Sequence, residues 1–389
     1  MSKPLDGIRV VDIGISTAGP YAARLLGDLG ADVIKVEPLD GENTRALGLR
    51  FGNTGYLYHV NNYNKRSVTL QVQHPRGRAL FLELVAKSDV VIENFAIGTM
   101  DSWGIGYTKC REANPSVIYC SVKGFGESGP LKGLRAFDTV TQALSGVMYS
   151  TGKPTSPPLK AGPSVCDLMG AAVSSMAVMA ALVARQPNQS QFLDTALFDM
   201  GAVAMTPLWP LARRGSAETL RSLGNGHPLH APFGDYACAQ GRLMVTVTTN
   251  RQWQTLGPLI GLPAAWSREM RKSQQDAIDS ALGAWLAAQQ PQEAADLLQA
   301  VLVPAAPVLD LAQMAASEQV ASRQMVGAVS HPVYGEMPLI NTPLVIHARQ
   351  TRAPWRLQPL LGENNQEVLG QLLGHGNELE SLRAERVIR

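Results

Sequence analysis

Short apolar segments with the length of β-strands alternate with helical segments through the first half of the chain. Residues 8–13 and 31–36 are two such segments, and they flank a predicted helix over residues 20–29. The helix has Pro20 in its first turn and Gly30 after its last, where these residue types are favoured. A β-α-β unit of this kind predicts parallel strands joined by a right-handed crossover.

The same alternation continues beyond this unit. Further strands are predicted over 67–70, 89–92, 116–120 and 191–194, with helices over 75–87, 138–149 and 168–184. The pattern predicts an α/β fold with a Rossmann-like open parallel sheet. In such sheets ligands bind outside the carboxyl ends of the strands.

The second half of the chain has a different composition. Prolines cluster between residues 205 and 232, and a strand and several helical stretches follow. We therefore predict a large domain over residues 1–210 and a smaller α+β domain over 225–320. We expect the C-terminal segment, residues 330–389, to return to the large domain.

The longest uncharged apolar run covers residues 168–184 and follows directly after Asp167. Its length is at the lower edge of a membrane span, but its alanines, glycine and serines favour a closely packed core helix. Asp167 at its start has two possible roles. It could cap the helix, which is worth about 1 kcal/mol. It could also do chemistry in a buried pocket, where the free N–H groups of the helix start would keep it ionised.

Composition and motifs argue against several classes of function. There are 34 basic and 32 acidic residues, so the net charge of +2 does not indicate nucleic acid or an anionic membrane as partner. The four cysteines include no C-x-x-C pair, which favours a reduced cytoplasmic location and no zinc site. The seven histidines form no H-x-x-x-H pair, and no P-loop motif is present. Gly14 and Gly19, after the first predicted strand, lack the G-x-G-x-x-G spacing of a dinucleotide-binding loop. We therefore expect no metal, nicotinamide or flavin.

Polar loops follow the predicted strands at the carboxyl edge of the sheet. Taken singly each is an ordinary loop, but together they supply cations for phosphates, an aromatic ring for a base and glycines for close backbone approach. These loops cover residues 16–20, 64–66, 93–95 and 123–129.

Several motifs occur in a fixed order along the chain. They include Leu5-Asp-Gly-Ile-Arg-Val-Val-Asp12, Leu29-Gly-Ala-Asp-Val-Ile-Lys-Val-Glu37, Gly124-Phe-Gly-x-x-Gly-Pro130 and Phe137-Asp-x-x-x-Gln-Ala-x-Ser-Gly146. The series resembles the family III CoA-transferases, the CaiB/BaiF group that includes formyl-CoA and carnitine CoA-transferases. The resemblance extends over essentially the whole chain.

The resemblance implies a transferase that moves CoA from an acyl-CoA thioester to a small carboxylic acid, with succinyl-CoA as one candidate donor. It implies that Asp167 is the catalytic nucleophile, forming first an aspartyl anhydride and then an aspartyl-CoA thioester. Asp138 matches an acidic position beside the active site and is the second candidate catalytic residue. The resemblance also implies an interlocked homodimer.

The resemblance further implies which residues bind coenzyme A. Lys123 and Arg135 are candidates for phosphate contacts, and Asn94 and Phe95 for the adenine end with Leu70 flanking it. Thr17, in the loop before Ala-Gly-Pro, is a further candidate for binding coenzyme A. Formyl-CoA transferase has other side chains in this loop, which argues against formate or oxalate as the acyl group.

Three further features of the sequence bear on the site that the resemblance implies. Lys65 and Arg66 lie near the nucleotide loop of the family, or are plain solvated charges. Ala96 and Ile97 stand where many members have Arg-Pro. The loop over residues 224–227 occupies the place of a mobile glycine-rich lid but has fewer glycines.

Two other functions remain open. An α-methylacyl-CoA racemase would use the same aspartate as an acid/base, together with a histidine just before Asp138. This chain has Phe137 at that position, so a two-base proton exchange lacks one partner. A non-catalytic acyl-CoA-binding protein would keep the nucleotide loops but would not need Asp167.

Overall fold

The structure, a computed structural model, describes residues 3–214, 222–345 and 356–389. It divides into two compact units. Unit 1 comprises Met1–Val147, Ala161–Thr206 and Gln319–Arg389, and unit 2 comprises Met148–Lys160 and Pro207–Glu318. The segment Met148–Lys160 lies inside the range expected for the large domain, yet it belongs to unit 2. The Ser222 hydroxyl, which donates a hydrogen bond to the Gly152 carbonyl, contributes to this attachment.

The described residues form thirteen strands. They are β1 (Arg9–Asp12), β2 (Asp32–Glu37), β3 (Arg50–Phe51), β4 (Thr54–Gly55), β5 (Lys65–Thr69), β6 (Val90–Glu93), β7 (Ile118–Lys123), β8 (Gln191–Ala196), β9 (Phe233–Ala237), β10 (Arg242–Thr246), β11 (Ala305–Pro307), β12 (Val326–His331) and β13 (Gly335–Ile340).

The helices of the described residues are mostly short. They are α1 (Ala18–Asp28), α2 (Tyr56–Asn62), α3 (Pro75–Ala86), α4 (Thr99–Ser102), α5 (Tyr107–Ala113), α6 (Asp138–Leu144), α7 (Val147–Ser150), α8 (Val165–Ala184), α9 (Leu197–Ala204), α10 (Trp209–Arg214), α11 (Asn250–Leu259), α12 (Arg268–Ser273), α13 (Gln275–Leu286), α14 (Pro291–Ala300), α15 (Leu311–Ala315), α16 (Glu318–Ser322) and α17 (Leu379–Ala384). The C-terminal part of the chain contains a π-helical segment, Gln366–Leu372, which is followed by α17.

Unit 1 is built on a six-stranded sheet in the order β5-β2-β1-β6-β7-β8. Every pair of neighbouring strands in it is parallel, so the predicted α/β fold with a parallel sheet is confirmed. The chain builds outward from β1 in one direction and then, after β5, crosses to β6 on the other side. The carboxyl ends of β1 and β6 therefore flank the topological switch point, where open α/β sheets bind ligands.

Both faces of this sheet are covered by hydrophobic cores. Successive side chains of a strand point to opposite faces, so Val11 belongs to one core cluster and Val10 to the other. The first cluster includes Phe81 of α3 and also Val368 and Val387 from the C-terminal segment. Burial on both faces explains why a strand such as β6 is an apolar run without a clear polar alternation.

Unit 2 contains a small antiparallel sheet in the order β11-β10-β9. Helices α11, α13 and α14 contribute residues to its core, which is centred on the fully buried Trp253. The Trp253 indole N–H donates to the Pro263 carbonyl at 2.9 Å, so burial leaves its polar group satisfied.

Helix α8 is 20 residues long with a mean hydropathy of 1.8, which by length and composition would suffice to cross a membrane. One of its faces packs within unit 1, where the Ser175 hydroxyl donates to the Ala22 carbonyl of α1 at 3.0 Å. The helix begins at Val165, three residues before the predicted start, and its N-cap position is Ser164. Asp167 therefore lies inside the first turn and does not occupy the capping position.

Candidate active site

The loops after β1 and β6 are joined at the switch point by one amide side chain. The Ile15 backbone N–H donates to Asn94 Oδ1 at 2.7 Å, and Asn94 Nδ2 donates to the Ile15 carbonyl at 2.8 Å. A Cβ atom on Gly14 would lie 2.9 Å from Asn94 Oδ1, so this close approach requires glycine. Asn94, predicted to contact the adenine end of CoA, thus has its amide engaged in holding the two loops together.

A cavity of about 270 Å³ opens at this edge of the sheet. Leu70 and Phe95 both line it, and the Phe95 ring packs against Trp103 in an edge-to-face contact with 4.9 Å between ring centroids. The remaining lining comes from the ends of β1 and β2 and from the residues after β5. The structure therefore brings Leu70 and Phe95 together in one partly aromatic cavity, whose walls suit a flat ring system.

A cluster of buried charges lies beneath the loop after β1. Asp12, Lys35 and Lys65 are fully buried, with 2.7 Å between Lys65 Nζ and Asp12 Oδ2 and 3.5 Å between Lys35 Nζ and the same oxygen. Lys35 also donates to the Gly14 carbonyl. Burial, together with the charge of Lys35, lowers the pKa of Lys65 to about 8.

Lys65 and Arg66 are neither solvated charges nor placed to bind a phosphate. Lys65 is not a solvated charge, since its amine is used by Asp12, the Pro20 carbonyl and Asn62. Arg66 is largely buried and pairs with Asp32 at 2.5 Å and with Glu367 at 2.9 Å. Both cations therefore hold unit 1 together rather than facing a phosphate.

The three other predicted CoA-binding residues lie in different surroundings. Lys123 is buried, with its amine 2.5 Å from Glu93 Oε1 and donating to the Phe95 carbonyl at 2.7 Å. Arg135 is exposed in the loop before α6, and Thr17 is partly exposed immediately before α1. Any phosphate contact of Lys123 would have to compete with Glu93, whereas Arg135 can reach solvent.

Asp138 and Asp167, predicted as the catalytic pair, do come together. Asp138 begins α6 and is buried, and its Oδ1 accepts hydrogen bonds from the backbone N–H groups of Cys166 at 2.7 Å and Asp167 at 3.2 Å. The N–H groups at the start of α8 are thereby satisfied from another helix. Asp167 itself is half-buried.

The electrostatic environment of Asp167 differs from the one expected. Burial, and secondly the negative charge of Asp138, raise the pKa of Asp167 to about 7. None of the described residues donates a hydrogen bond that would lower it. The N–H groups of Cys166 and Asp167 in the first turn donate to Asp138, so the helix start does not stabilise the Asp167 carboxylate in the way expected. The site presents a carboxylate that is weakly solvated and ionises near neutral pH.

Comparison with known proteins decides the family. The family model described as CoA-transferase family III matches residues 5–365. The chain belongs to this family. A CoA-transferase needs a site for a nucleotide-bearing thioester and a group that carries the acyl or CoA moiety. The candidate for the first is the cavity at the switch point, and the candidate for the second is the Asp138–Asp167 pair.

Individual relatives support the same conclusion. The chain is 32% identical over 384 residues to a succinate–glutarate CoA-transferase of Agrobacterium fabrum, covering 95% of this chain and 96% of that protein. It is 33% identical to a succinyl-CoA:mesaconate CoA-transferase of Haloarcula hispanica, covering 97% and 99%. The crystal structure of a CaiB/BaiF family protein from Brucella suis superposes with a TM-score of 0.82 at 30% identity, covering 96% of this chain and all of that one.

Two residues of this CoA-transferase that sequence reasoning did not single out contribute to the site. Gln142, fully buried one turn after Asp138, donates to Asp138 Oδ2 at 2.5 Å. Its position in the motif that begins at Phe137 was a usable signal, because residues four apart share a helix face. Trp103, against Phe95, gave no such signal since it lies eight residues away in a separate segment.

Two other expectations concern the lid and a metal. The loop over residues 224–227 lies in unit 2, where Asn225 donates to Asp235 at 2.6 Å and the His227 ring packs near Phe233. Its role as a lid stays a prediction. Among the described residues, no group of three or more His, Cys, Asp or Glu side chains could hold a metal ion.

Proposed function

We propose that this CoA-transferase works through covalent intermediates on Asp167. The observation that carries the proposal is a half-buried carboxylate at the start of α8, beside Asp138, which receives no hydrogen bond from the described residues. Burial and the charge of Asp138 raise its pKa to about 7. At neutral pH a large share of this group is ionised, and its poor solvation makes the ionised form a reactive nucleophile. A carboxylate is also a suitable acyl carrier, because its anhydride is activated toward a thiolate.

The reaction proceeds by four acyl substitutions. An Asp167 oxygen attacks the thioester carbonyl carbon, the C–S bond breaks, and CoA leaves as a thiolate from the mixed anhydride. The thiolate then attacks the Asp167 carbonyl carbon and expels the donor acid as a carboxylate, leaving an aspartyl-CoA thioester. The acceptor carboxylate attacks that thioester, and the released thiolate finally attacks the acceptor carbonyl. The new acyl-CoA departs and Asp167 is regenerated without net proton or electron transfer.

We assign the substrates to small dicarboxylic acids, with succinyl-CoA as the donor. The names of the relatives from Agrobacterium fabrum and Haloarcula hispanica support this assignment, since both pair succinate or succinyl-CoA with another dicarboxylic acid. For the nucleotide end of CoA we assign the cavity lined by Leu70 and Phe95, with Asn94 supporting its loop. We assign Arg135 as a phosphate contact. We assign Lys123 as a second one, for which its amine would exchange Glu93 for a phosphate. Thr17 lies at the start of α1.

We also propose a homodimer in a reducing cytoplasm. Large apolar side chains are exposed on unit 1, among them Phe137 at 74% and Val183 at 90%, and a second copy would cover them. The four cysteines are unpaired, which is typical of a reducing compartment.

The racemase is the weaker candidate. It needs a second acid/base on the other side of the substrate α-carbon. The position before Asp138, where that family has a histidine, is the exposed apolar side chain of Phe137. A binding protein without catalysis would have no use for a poorly solvated carboxylate, whose burial is costly to stability.

Trapping of the acyl-enzyme tests the proposal. The protein is incubated with succinyl-CoA and hydroxylamine, and peptides are analysed by mass spectrometry, with a hydroxamate expected on Asp167. Asp167→Ala should lose transfer to a panel of dicarboxylic acids, while Asp199→Ala, which removes an acidic side chain from the first turn of α9, should keep it. Full transfer by Asp167→Ala would overturn the proposal. Deuterium exchange at the α-carbon of a 2-methylacyl-CoA without transfer would favour the racemase.

A further inference from the structure

Helix α8 lacks a cap of its own. Ser164 occupies the N-cap position but its side chain makes no capping hydrogen bond. The Val165 N–H donates to the Pro163 carbonyl at 3.0 Å, and the next two N–H groups donate to Asp138. The helix that carries the proposed nucleophile is therefore started by a carboxylate from α6, 29 residues earlier in the chain than Asp167.

Gln142 extends this contact to the segment that enters α8. Its Oε1 accepts from the Ala161 backbone N–H at 2.8 Å, and its Nε2 donates to Asp138 and, at 3.4 Å, to the Pro163 carbonyl. Asp138 and Gln142 thus bind four backbone groups between residues 161 and 167. Because both side chains are buried, these hydrogen bonds are shielded from competing water.

We infer that Asp138 and Gln142 form a clamp that positions Asp167, with Asp138 acting as a positioning residue through the α8 backbone rather than as an acid or base on the substrate. The inference rests on the proposed role of Asp167 as nucleophile. The clamp occupies the donors of the helix start, so the Asp167 oxygens are left for the substrate. It also sets a fixed negative charge beside the nucleophile.

Burial raises the pKa of Asp167 most, and Asp138 is the charged group that raises it further. On α8 itself, burial raises the pKa of the neighbouring Cys166 thiol, which therefore stays neutral. Of the elements packed against α8, α1 contributes Arg24 and Asp28, which pair with each other. The strands contribute Lys123, paired with Glu93, and Asp194, and α9 contributes Asp199. Only Asp138 among these acts on the charge of Asp167.

The clamp is tested by two substitutions of different kinds at one position. Asp138→Asn keeps an oxygen that can accept from the α8 N–H groups but removes the charge. Its transfer rate should stay within about tenfold of wild type, and the midpoint of the kcat–pH profile should move down by about 1 pH unit. Asp138→Ala removes the acceptor, and kcat should fall about 10²-fold with KM changed less than about threefold, because the nucleophile is misplaced.

Gln142→Ala, like Asp138→Ala, should lower kcat. Because it removes no charge, it should not move the midpoint of the kcat–pH profile. Asp199→Asn serves as the matched control and should leave both kcat and the midpoint unchanged. Circular dichroism and thermal unfolding check that each variant folds. An unchanged pH midpoint in Asp138→Asn, or wild-type kcat in Asp138→Ala, would overturn the clamp. If Asp167→Ala were itself active, the proposed function would fail instead, so the two failures are distinguishable.

Discussion

Replacing Asp167 by asparagine should abolish CoA transfer and at the same time stabilise the protein at alkaline pH. The physical reason is that the folded protein holds this carboxylate where its charged form is poorly solvated and faces Asp138. Asparagine has almost the same shape but never ionises. The variant therefore keeps the packing of the first turn of α8 and loses the cost of the charge.

The size of the effect follows from the pKa of Asp167, which rises from 3.8 to about 7 on folding. A carboxyl group with a raised pKa contributes stability below its unfolded value, and this contribution is lost as pH rises through the folded value. A difference of about three pH units corresponds to at most about 4 kcal/mol, at about 1.36 kcal/mol for each. Because the side chain is only half-buried, solvent screening reduces this, and we expect about 2 kcal/mol at pH 8.

Urea unfolding of wild type and variant at pH 8 and pH 4.5 measures this difference. The asparagine variant should be more stable at pH 8, and its advantage should shrink toward zero at the lower pH. Asp276→Asn, an exposed acidic residue in the first turn of α13, is the control and should show no such gain. Equal stability of wild type and Asp167→Asn at both pH values would refute the reasoning.

Three other predictions concern the pH dependence, the buried charges and the cavity. The kcat of transfer should fall about tenfold for each pH unit below 7 as Asp167 becomes protonated, as stopped-time assays with a saturating donor would show, whereas a flat profile between pH 5.5 and 8 would contradict this. Lys65→Met should lower the free energy of unfolding, measured in urea, by about 3–5 kcal/mol because it removes one partner of the buried Asp12 carboxylate. Lys109→Met, which breaks an exposed ion pair, should change it by less than about 0.5 kcal/mol. Phe95→Ala should weaken CoA binding by about 1–3 kcal/mol in titration calorimetry if the cavity holds the adenine ring, and Phe51→Ala, outside that cavity, should not; equal affinities for the two variants would argue for another nucleotide site.

The sheet of unit 1 was predictable because most of its strands are buried on both faces. Segments such as residues 90–93 carry no conflicting polar pattern, and the helices between them have recognisable starts, as at Pro75. Local sequence signals therefore agree with the tertiary environment there.

The first residue of α8 and the buried positions of Lys65 and Arg66 could not be predicted from local sequence patterns. The helix begins at Val165 because Asp138, distant in sequence, supplies the acceptor for its first N–H groups, and no local pattern encodes such a contact. Lys65 and Arg66 look like loop charges, yet pairing of β5 with β2 carries them into the sheet, where Asp12 and Asp32 neutralise them. In both cases the deciding interaction joins residues that only the tertiary fold brings together.

The loop after β1 is held in shape by side chains that do not depend on any ligand. Ser16 has a positive φ of 61°, its carbonyl accepts from Asn61 at 2.8 Å, and its neighbours are fixed by Asn94 and Lys35. The conformational entropy of this loop is therefore lost once, when the chain folds. A nucleotide that docks at this edge meets a rigid, preorganised surface and need not order it, so its affinity is determined mainly by contacts and desolvation. Loosening the loop at Asn94 would transfer the ordering entropy to the binding step, making the binding entropy more unfavourable although the substitution leaves the cavity walls unchanged.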